Sequence, residues 1–337
     1  MFAYTIRRVI TGILLLVVMS VVTFYLFYAS STTPERYACG PKCTAAQLET
    51  TKKSLGYDEP TYVQWGKFAK GVAVGRTFPD DPELRKAAPQ LVQECPAPCL
   101  GFSTGYSAPV RSLIQDKLPV SFSLAIAAFV LWMVGGVALG ITAALFKGRL
   151  LDRAIVGLSL VAFAFPTFFI GLLLLKFVSI RWGLIKLPAY TPLTENPWLW
   201  ATGMILPAIT LAVVYMAGYI RITRAFVLET MSEDYIRTAR AKGLNQRTVI
   251  GKHTLRAVLT PLVTLSGLDL AGLLGGAIIT EQVFNFNGVG KLSVTAIQRF
   301  DLPLIVGIVL LVATIVIVAN IIVDLLYAVI DPRVRLG

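Results

Sequence analysis

Charge, histidine and cysteine are all scarce in this chain of 337 residues. Charged residues make up 15%, against about 25% in an ordinary soluble domain. So low a share speaks against a soluble enzyme, and a hydrophobic content of 55% excludes a disordered chain. The one histidine, His253, would need several other ligands beside it to hold a metal. A phosphate-binding loop is also missing. The nearest lookalike, Gly288-Val289-Gly290-Lys291-Leu292-Ser293, lacks the earlier glycine of the Gly-x4-Gly-Lys-Ser/Thr spacing and has Leu292 after the lysine. The chain is therefore expected to bind no ATP itself.

What is abundant is apolar sequence in long runs, with a mean hydropathy of +0.70. A helix crossing a bilayer core of roughly 30 Å needs about 20 mostly apolar residues. Six blocks meet this, at about 9–29, 120–146, 155–180, 198–220, 258–284 and 304–330. Runs such as Leu310-Leu311-Val312-Ala313-Thr314-Ile315-Val316-Ile317-Val318 lack the alternation of a barrel strand, and in lipid they satisfy their backbone only as helix. The expected fold is an all-α membrane protein with six transmembrane helices. The first block follows Arg7-Arg8, as a signal peptide would. Its apolar run exceeds the usual core of roughly 7–15 residues, and Tyr28-Ala29-Ser30-Ser31 is a poor cleavage site, so it is expected to stay as a span.

Basic residues in short connections set the orientation. Arg7 and Arg8 precede the first block; Lys147, Arg149 and Arg153 follow the second. Eight Arg and Lys residues lie between Arg221 and Arg256, and Arg333 and Arg335 follow the last block. The short connections of opposite parity hold only Arg181, Lys186, Lys291 and Arg299. Both termini are thus expected in the cytoplasm, with segment 31–118 outside. This topology accounts for the net charge of +12. A nucleic-acid partner is not expected, because no aromatic-basic array accompanies the charge. The implied organisation is a first helix (1–30), an external segment (31–118), a five-helix core (119–331) with a cytoplasmic connection at 221–256, and a short tail (332–337).

All four cysteines, Cys39, Cys43, Cys95 and Cys99, fall in the external segment. An even number in an oxidising compartment reads as disulfides, with three possible pairings among which the sequence does not choose. Pairing across the two Cys-x3-Cys units would close loops of roughly 50 residues, worth about 4 kcal/mol each in the chain-entropy model. A structural zinc site is the rival, since both pairs have ligand spacing. The stretch 75–109 is rich in Pro, Gly and Asp and reads mostly as loop. Every cysteine would lie across the membrane from His253, so no Cys-His pair can form.

The cytoplasmic connection is heavily punctuated. Ser232 reads as an N-cap, Glu233 and Asp234 sit in a first turn, Arg240 and Lys242 in a last turn, and Gly243 as a left-handed residue after the helix. Asn245 can cap a second helix. A short helix over about 233–242, held between two spans, suits docking into a groove on another protein.

Here a resemblance becomes specific. Tyr235-Ile236-Arg237-Thr238-Ala239-Arg240-Ala241-Lys242-Gly243-Leu244, followed by His253-Thr254-Leu255-Arg256, resembles the coupling-loop motif of ABC importer permeases. Arg237-Thr238-Ala239 stands where that motif has Glu-Ala-Ala, and Arg256 where Pro is usual. Both departures resemble the dipeptide/oligopeptide/nickel branch, in the subunit with a large external segment after the first span. So do Leu55-Gly56-Tyr57-Asp58-Glu59-Pro60 with Gln64-Trp65, Pro109-Val110 through Leu118-Pro119, Glu281-Gln282-Val283-Phe284 with Gly288-Val289-Gly290, and the ending from Asp324 to Arg335. The stretch of about 76–100 interrupts the external segment that the resemblance implies, and the two cysteine pairs are not part of the motif.

The resemblance implies a type I ABC importer permease fold and a function in importing di- or oligopeptides, with nickel chelates as the alternative cargo. From another class, a stand-alone channel or secondary transporter is the rival. The implied partners are a second, similar permease, two ATP-binding subunits that use ATP and Mg, an external substrate-binding (lipo)protein and the lipid bilayer. The implied place is the bacterial cell membrane. Glu233, Asp234, Tyr235, Arg237, Thr238, Ala239, Arg240, Ala241, Lys242, Gly243 and Leu244 would couple to an ATPase subunit. The fifth block carries small residues on two ridges, Gly267-Ala271-Gly275 and Leu268-Gly272-Gly276, for the permease–permease contact or the wall of the path. Asp269, a carboxylate within that block, is expected to face the interior, either as a contact for a peptide's cationic end or as interhelical glue. Pro166 and Pro207 are expected to kink the third and fourth spans. Mass spectrometry of the native protein, with and without reductant, should find no free thiol; free thiols would contradict the disulfide reading.

Overall fold

The computed structural model describes residues 2–28, 34–39 and 43–330, with the side chains of residues 2–4, 34, 38, 91, 271, 274–276 and 324–330 outside the description. The chain begins with α1 (Phe2–Tyr28), α2 (Pro34–Cys39), α3 (Ala45–Leu55) and α4 (Thr61–Val74). β1 (Arg76–Phe78), α5 (Pro82–Ala87) and β2 (Gln93–Cys95) follow, then β3 (Phe102–Ser103) and β4 (Ala108–Pro109). The rest is helical: α6 (Val110–Leu145), α7 (Leu150–Ala164), α8 (Thr167–Leu174, continued by a π-helical turn Leu175–Arg181) and α9 (Pro197–Thr230). It ends with α10 (Asp234–Ala241), α11 (Gln246–Thr248, continued by a π-helical turn Val249–Thr254), α12 (Leu255–Val283), α13 (Val289–Gln298) and α14 (Leu302–Ile330).

Four described helical stretches are long and apolar enough to cross a membrane: Thr5–Tyr28, Val110–Leu145, Pro197–Thr230 and Leu302–Val323. The third expected span is not one straight rod. α7 and α8 meet at a bend of 103°. Pro166 explains the break: it has no N–H to donate and disfavours helix at Phe165, which is extended at φ −88°, ψ 135°. Counted as one span, the pair makes five. The fifth expected block is α12, a continuous helix of 29 residues. Pro207 lies inside the unbroken α9.

The chain divides into two compact units, one of residues 1–6, 120–286 and 318–337, the other of residues 7–119 and 287–317. In the first, α6, α9 and α12 share a core of fully buried Leu124, Trp132, Leu211, Leu262 and Leu273. Lipid removes the hydrophobic drive between helices, so close packing and polar pairs must hold them. Gly267 of α12 is one close approach, since a Cβ there would lie 1.9 Å from Val323 Cγ2 of α14. Arg224 of α9 donates two hydrogen bonds to Asp152 of α7, at 2.7 and 2.8 Å, and the Gly148 N–H adds a third at 2.8 Å. Ser121 of α6 donates to the wholly buried Glu281 of α12 at 2.6 Å.

In the second unit the stretch expected to be mostly loop carries paired strands and a short helix. β1 and β2 pair antiparallel with Arg76 opposite Cys95. Asp80 takes a forked hydrogen-bond pair from Arg76, and Lys67 sits 2.6 Å from Glu59 and 3.3 Å from Asp80. Burial works against the Lys67 ammonium, but the two carboxylates outweigh it and raise its pKa. Two disulfides are present, Cys39–Cys43 and Cys95–Cys99, each within one Cys-x3-Cys unit. These local loops constrain the unfolded chain by only about 2 kcal/mol each, half of what the long pairings would give. Cys95 and Cys99 are buried beside Phe78 and Phe102, and the Cys99 N–H reaches the Gly71 carbonyl at 3.2 Å.

The motif residues 55–65 also find structural work here. Gly56 ends α3 at φ 70°, Gln64 donates to the Glu59 carbonyl at 2.7 Å, and Trp65 Nε1 donates to Ser20 of α1 at 3.2 Å. The loop 103–105 is clamped to the start of α14 by Asp301, which is buried and accepts from the Ser103 hydroxyl and the Leu304 N–H. Burial raises the Asp301 pKa, although these donors and Arg299 oppose it. A carboxyl held high in the folded state contributes stability that is complete below its ordinary value and lost as pH rises through the raised one. Asp301→Asn should therefore gain thermal midpoint relative to wild type as pH climbs from about 4 to about 7; a pH-independent difference would contradict this.

Candidate functional site

The connection between α9 and α12 is built from local signals. α9 ends at Thr230, and the chain turns through Met231 to Glu233 into α10. Ser232 is not the N-cap expected from its residue type. Its hydroxyl donates back to the Glu229 carbonyl at 2.7 Å, and Glu233 takes the cap position without a side-chain bond. The reason is positional: the turn closes one residue later, with the Ile236 and Arg237 N–H groups bonding to the Glu233 carbonyl. Asp234 in the first turn and Arg240 in the last complement the helix ends.

Gly243 stops the helix as expected, at φ 78°, a region that disfavours any side chain. The Leu244 N–H reaches the Ala239 carbonyl at 3.3 Å, and the Asn245 side chain caps the next turn by accepting from the Thr248 N–H at 2.8 Å. α10 is strongly two-faced. Ile236, Ala239 and Val249 form a small buried cluster that fastens α10 to the π-helical turn leading into α12. Glu233, Asp234, Tyr235, Arg237, Thr238, Arg240, Ala241, Lys242, Gly243 and Leu244 are exposed. Of the expected coupling residues, Ala239 alone is buried, packed with Ile236 and Val249. The Arg237–Asp234 pair, 3.5 Å apart with both groups exposed, adds little stability. Partial burial raises the Tyr235 hydroxyl pKa, and Glu233 adds to it.

The expected path residues are placed as follows. Asp269 is half-buried on α12 and accepts a 2.6 Å hydrogen bond from the Tyr219 hydroxyl of α9. Gly272 is exposed, with nothing within 4 Å of an added Cβ, on the same side as exposed Leu265 and Leu268. The surroundings of Gly275 and Gly276 lie outside the described residues. Of the expected ridges, Gly267 is taken up by Val323 of the same chain. Among the described residues, no cluster of three or more His, Cys, Asp or Glu could hold a metal.

Sequence reasoning missed three features. Tyr215 and Tyr219 stand four apart in the fourth apolar block, a spacing that places them on one helix face and could have flagged them. Glu281 is a second carboxylate in the fifth block, visible as a charge in an apolar run. Asp152 with Arg224 spans 72 positions, and no local signal pairs them.

The comparisons with known proteins agree with this architecture. Residues 136–336 match the family described as "Binding-protein-dependent transport system inner membrane component", and residues 1–125 match its N-terminal companion family. The chain is 32% identical over 335 residues to the probable peptide ABC transporter permease protein y4tP of Sinorhizobium fredii, covering 99% of this chain and 100% of that protein. It is 38% identical over 259 residues to the dipeptide transport system permease protein DppB of Escherichia coli, covering 70% of this chain and 76% of that one. Among solved structures, a chain of the inward-facing MetNI methionine ABC transporter matches with a TM-score of 0.51 at 15% identity, over 66% of this chain and 97% of that one, which bears on fold alone. The spans, the punctuated connection and these matches together place the chain in the family of inner-membrane permease components of binding-protein-dependent ABC transport systems.

Proposed function

We propose that this chain is one of two permease subunits of an ATP-driven importer of di- and oligopeptides, and that α10 transmits the motion of an ATPase subunit to α12. The observation that carries the reading is the fastening of α10. An exposed, two-faced helix is joined by Ile236, Ala239 and Val249 to the turn that leads into a spanning helix. A push on its outer face thus moves α12. The peptide relatives at 32% and 38% identity support the cargo class.

The full arrangement has six spans, α1, α6, the α7–α8 pair, α9, α12 and α14, with both termini in the cytoplasm and segment 31–118 outside. Two ATP-binding subunits would grip α10 here and its counterpart on the second permease. When ATP closes them, the spans rock from inward-open to outward-open. An external binding protein then releases peptide into the cavity, and hydrolysis resets the cycle. This chain supplies the path and the lever and holds no ATP or Mg, which its partners use. The exposed side of α12 around Gly272 is offered to the second permease or the path. The Cys95–Cys99 segment serves as a stapled cap on the outside. Nickel chelates are the alternative cargo for the same machinery.

The test is uncoupling in the complete complex. Ala239→Trp overfills the cluster beneath α10, and Gly243→Trp forces a side chain into a left-handed backbone. Each should lower ATP-dependent peptide uptake by at least about tenfold, or 1.4 kcal/mol, while ATP hydrolysis continues. Uptake at the wild-type rate in both variants would overturn the coupling role.

A further inference from the structure

Among the described residues, Asp269 is a carboxylate without a countercharge. It sits in the apolar α12, where an ionised group is costly unless it is paired. Among the described residues no cation forms a salt bridge with it. Its Oδ2 accepts from the Tyr219 hydroxyl at 2.6 Å, and among the described residues no hydrogen bond is made to Oδ1. Beside it stands an aromatic cluster. The rings of Trp132 and Tyr215 stack with centroids 4.7 Å apart, and Tyr219 lies 6.2 Å from Trp132. Trp132 is fully buried, yet among the described residues its Nε1–H has no acceptor, an omission that a buried indole normally avoids.

Among the described residues the cluster therefore holds a carboxylate oxygen without a donor, aromatic rings beside it and an indole N–H without an acceptor. Ring faces and a carboxylate both attract an ammonium. An N–H donor suits a carbonyl oxygen. A group that carries an ammonium and a carbonyl two bonds apart is the amino-terminal residue of a peptide. We propose that Asp269, Tyr215, Tyr219 and Trp132 form a way-station that binds the free amino end of the peptide during passage. The inference rests on the permease reading above and deepens it. Tyr219 then has a second part, holding the carboxylate in place between α9 and α12 while the site is empty.

The experiment uses the complete permease–ATPase complex in lipid nanodiscs without the external binding protein, so that the partner's own selectivity does not enter. Equilibrium binding of radiolabelled Ala-Phe is compared with that of its N-acetyl derivative. Wild type should bind the free-amino form at least about tenfold more tightly, Asp269→Asn should erase the difference, and Asp269→Glu should restore most of it. Equal binding of both peptides by wild type overturns the proposal, and so does an Asp269→Asn complex that still prefers the free amine. The wild-type comparison decides even if Asp269→Asn fails to assemble. A chain that does not assemble with ATPase subunits at all would count against the permease reading instead.

Discussion

The burial of Ile236, Ala239 and Val249 beneath α10 is the contact on which the functional account depends. Eight residues of helix have little stability of their own, because the first turn costs more than the later bonds return. Burying an Ile and a Val side chain supplies a few kcal/mol, at roughly 25 cal/mol per Å2. That small cluster makes the helix a body that can be pushed. Without it, the ten exposed residues around it would be a surface loop whose motion reaches nothing. Gly243 and Asn245 complete the device by ending one helix and starting the next within three positions, so that α10 cannot merge with α12.

Within the membrane the forces differ. Lipid tails are as apolar as leucine, so the spanning helices gain little from hiding apolar surface from water. The structure meets this with close approach at Gly267 and with buried polar pairs. Asp152 with Arg224 joins α7 to α9, Ser121 with Glu281 joins α6 to α12, and Tyr219 with Asp269 joins α9 to α12. The first is a two-pronged charge pair, geometrically the most demanding of the three. The last, like the second, sets a neutral hydroxyl against a carboxylate, and among the described residues no cation forms a salt bridge with Asp269. The remaining demand for a positive charge is what points to cargo.

Much of this was legible in the sequence because the signals are local. Apolar runs gave the helices, and Gly243 and Asn245 marked the ends of α10 and α11 to within a residue. Pro166 marked a break but carried no information on the angle of 103°. Ser232 had the right residue type for a cap and lost the position to Glu233, since backbone geometry decides where a turn closes. Cysteine pairing is combinatorial, and composition alone could not favour Cys95–Cys99 over a bond to Cys39. The clamp of Asp301 on Ser103 joins positions 198 apart, and Glu281 to Ser121 spans 160. Such pairs leave no trace in periodicity. The stretch 75–109 read mostly as loop because it is rich in Pro, Gly and Asp, yet the β1–β2 pairing and the Arg76–Asp80 fork give it order.

The central claim is that this polypeptide is moved from outside itself, by a motor gripping α10. Reconstitution tests it most directly. Liposomes holding this chain alone should show no peptide flux under any ion gradient, and flux should begin only when the second permease, the ATPase subunits and ATP are supplied. Sustained peptide flux through the chain alone, without ATP, would contradict the account.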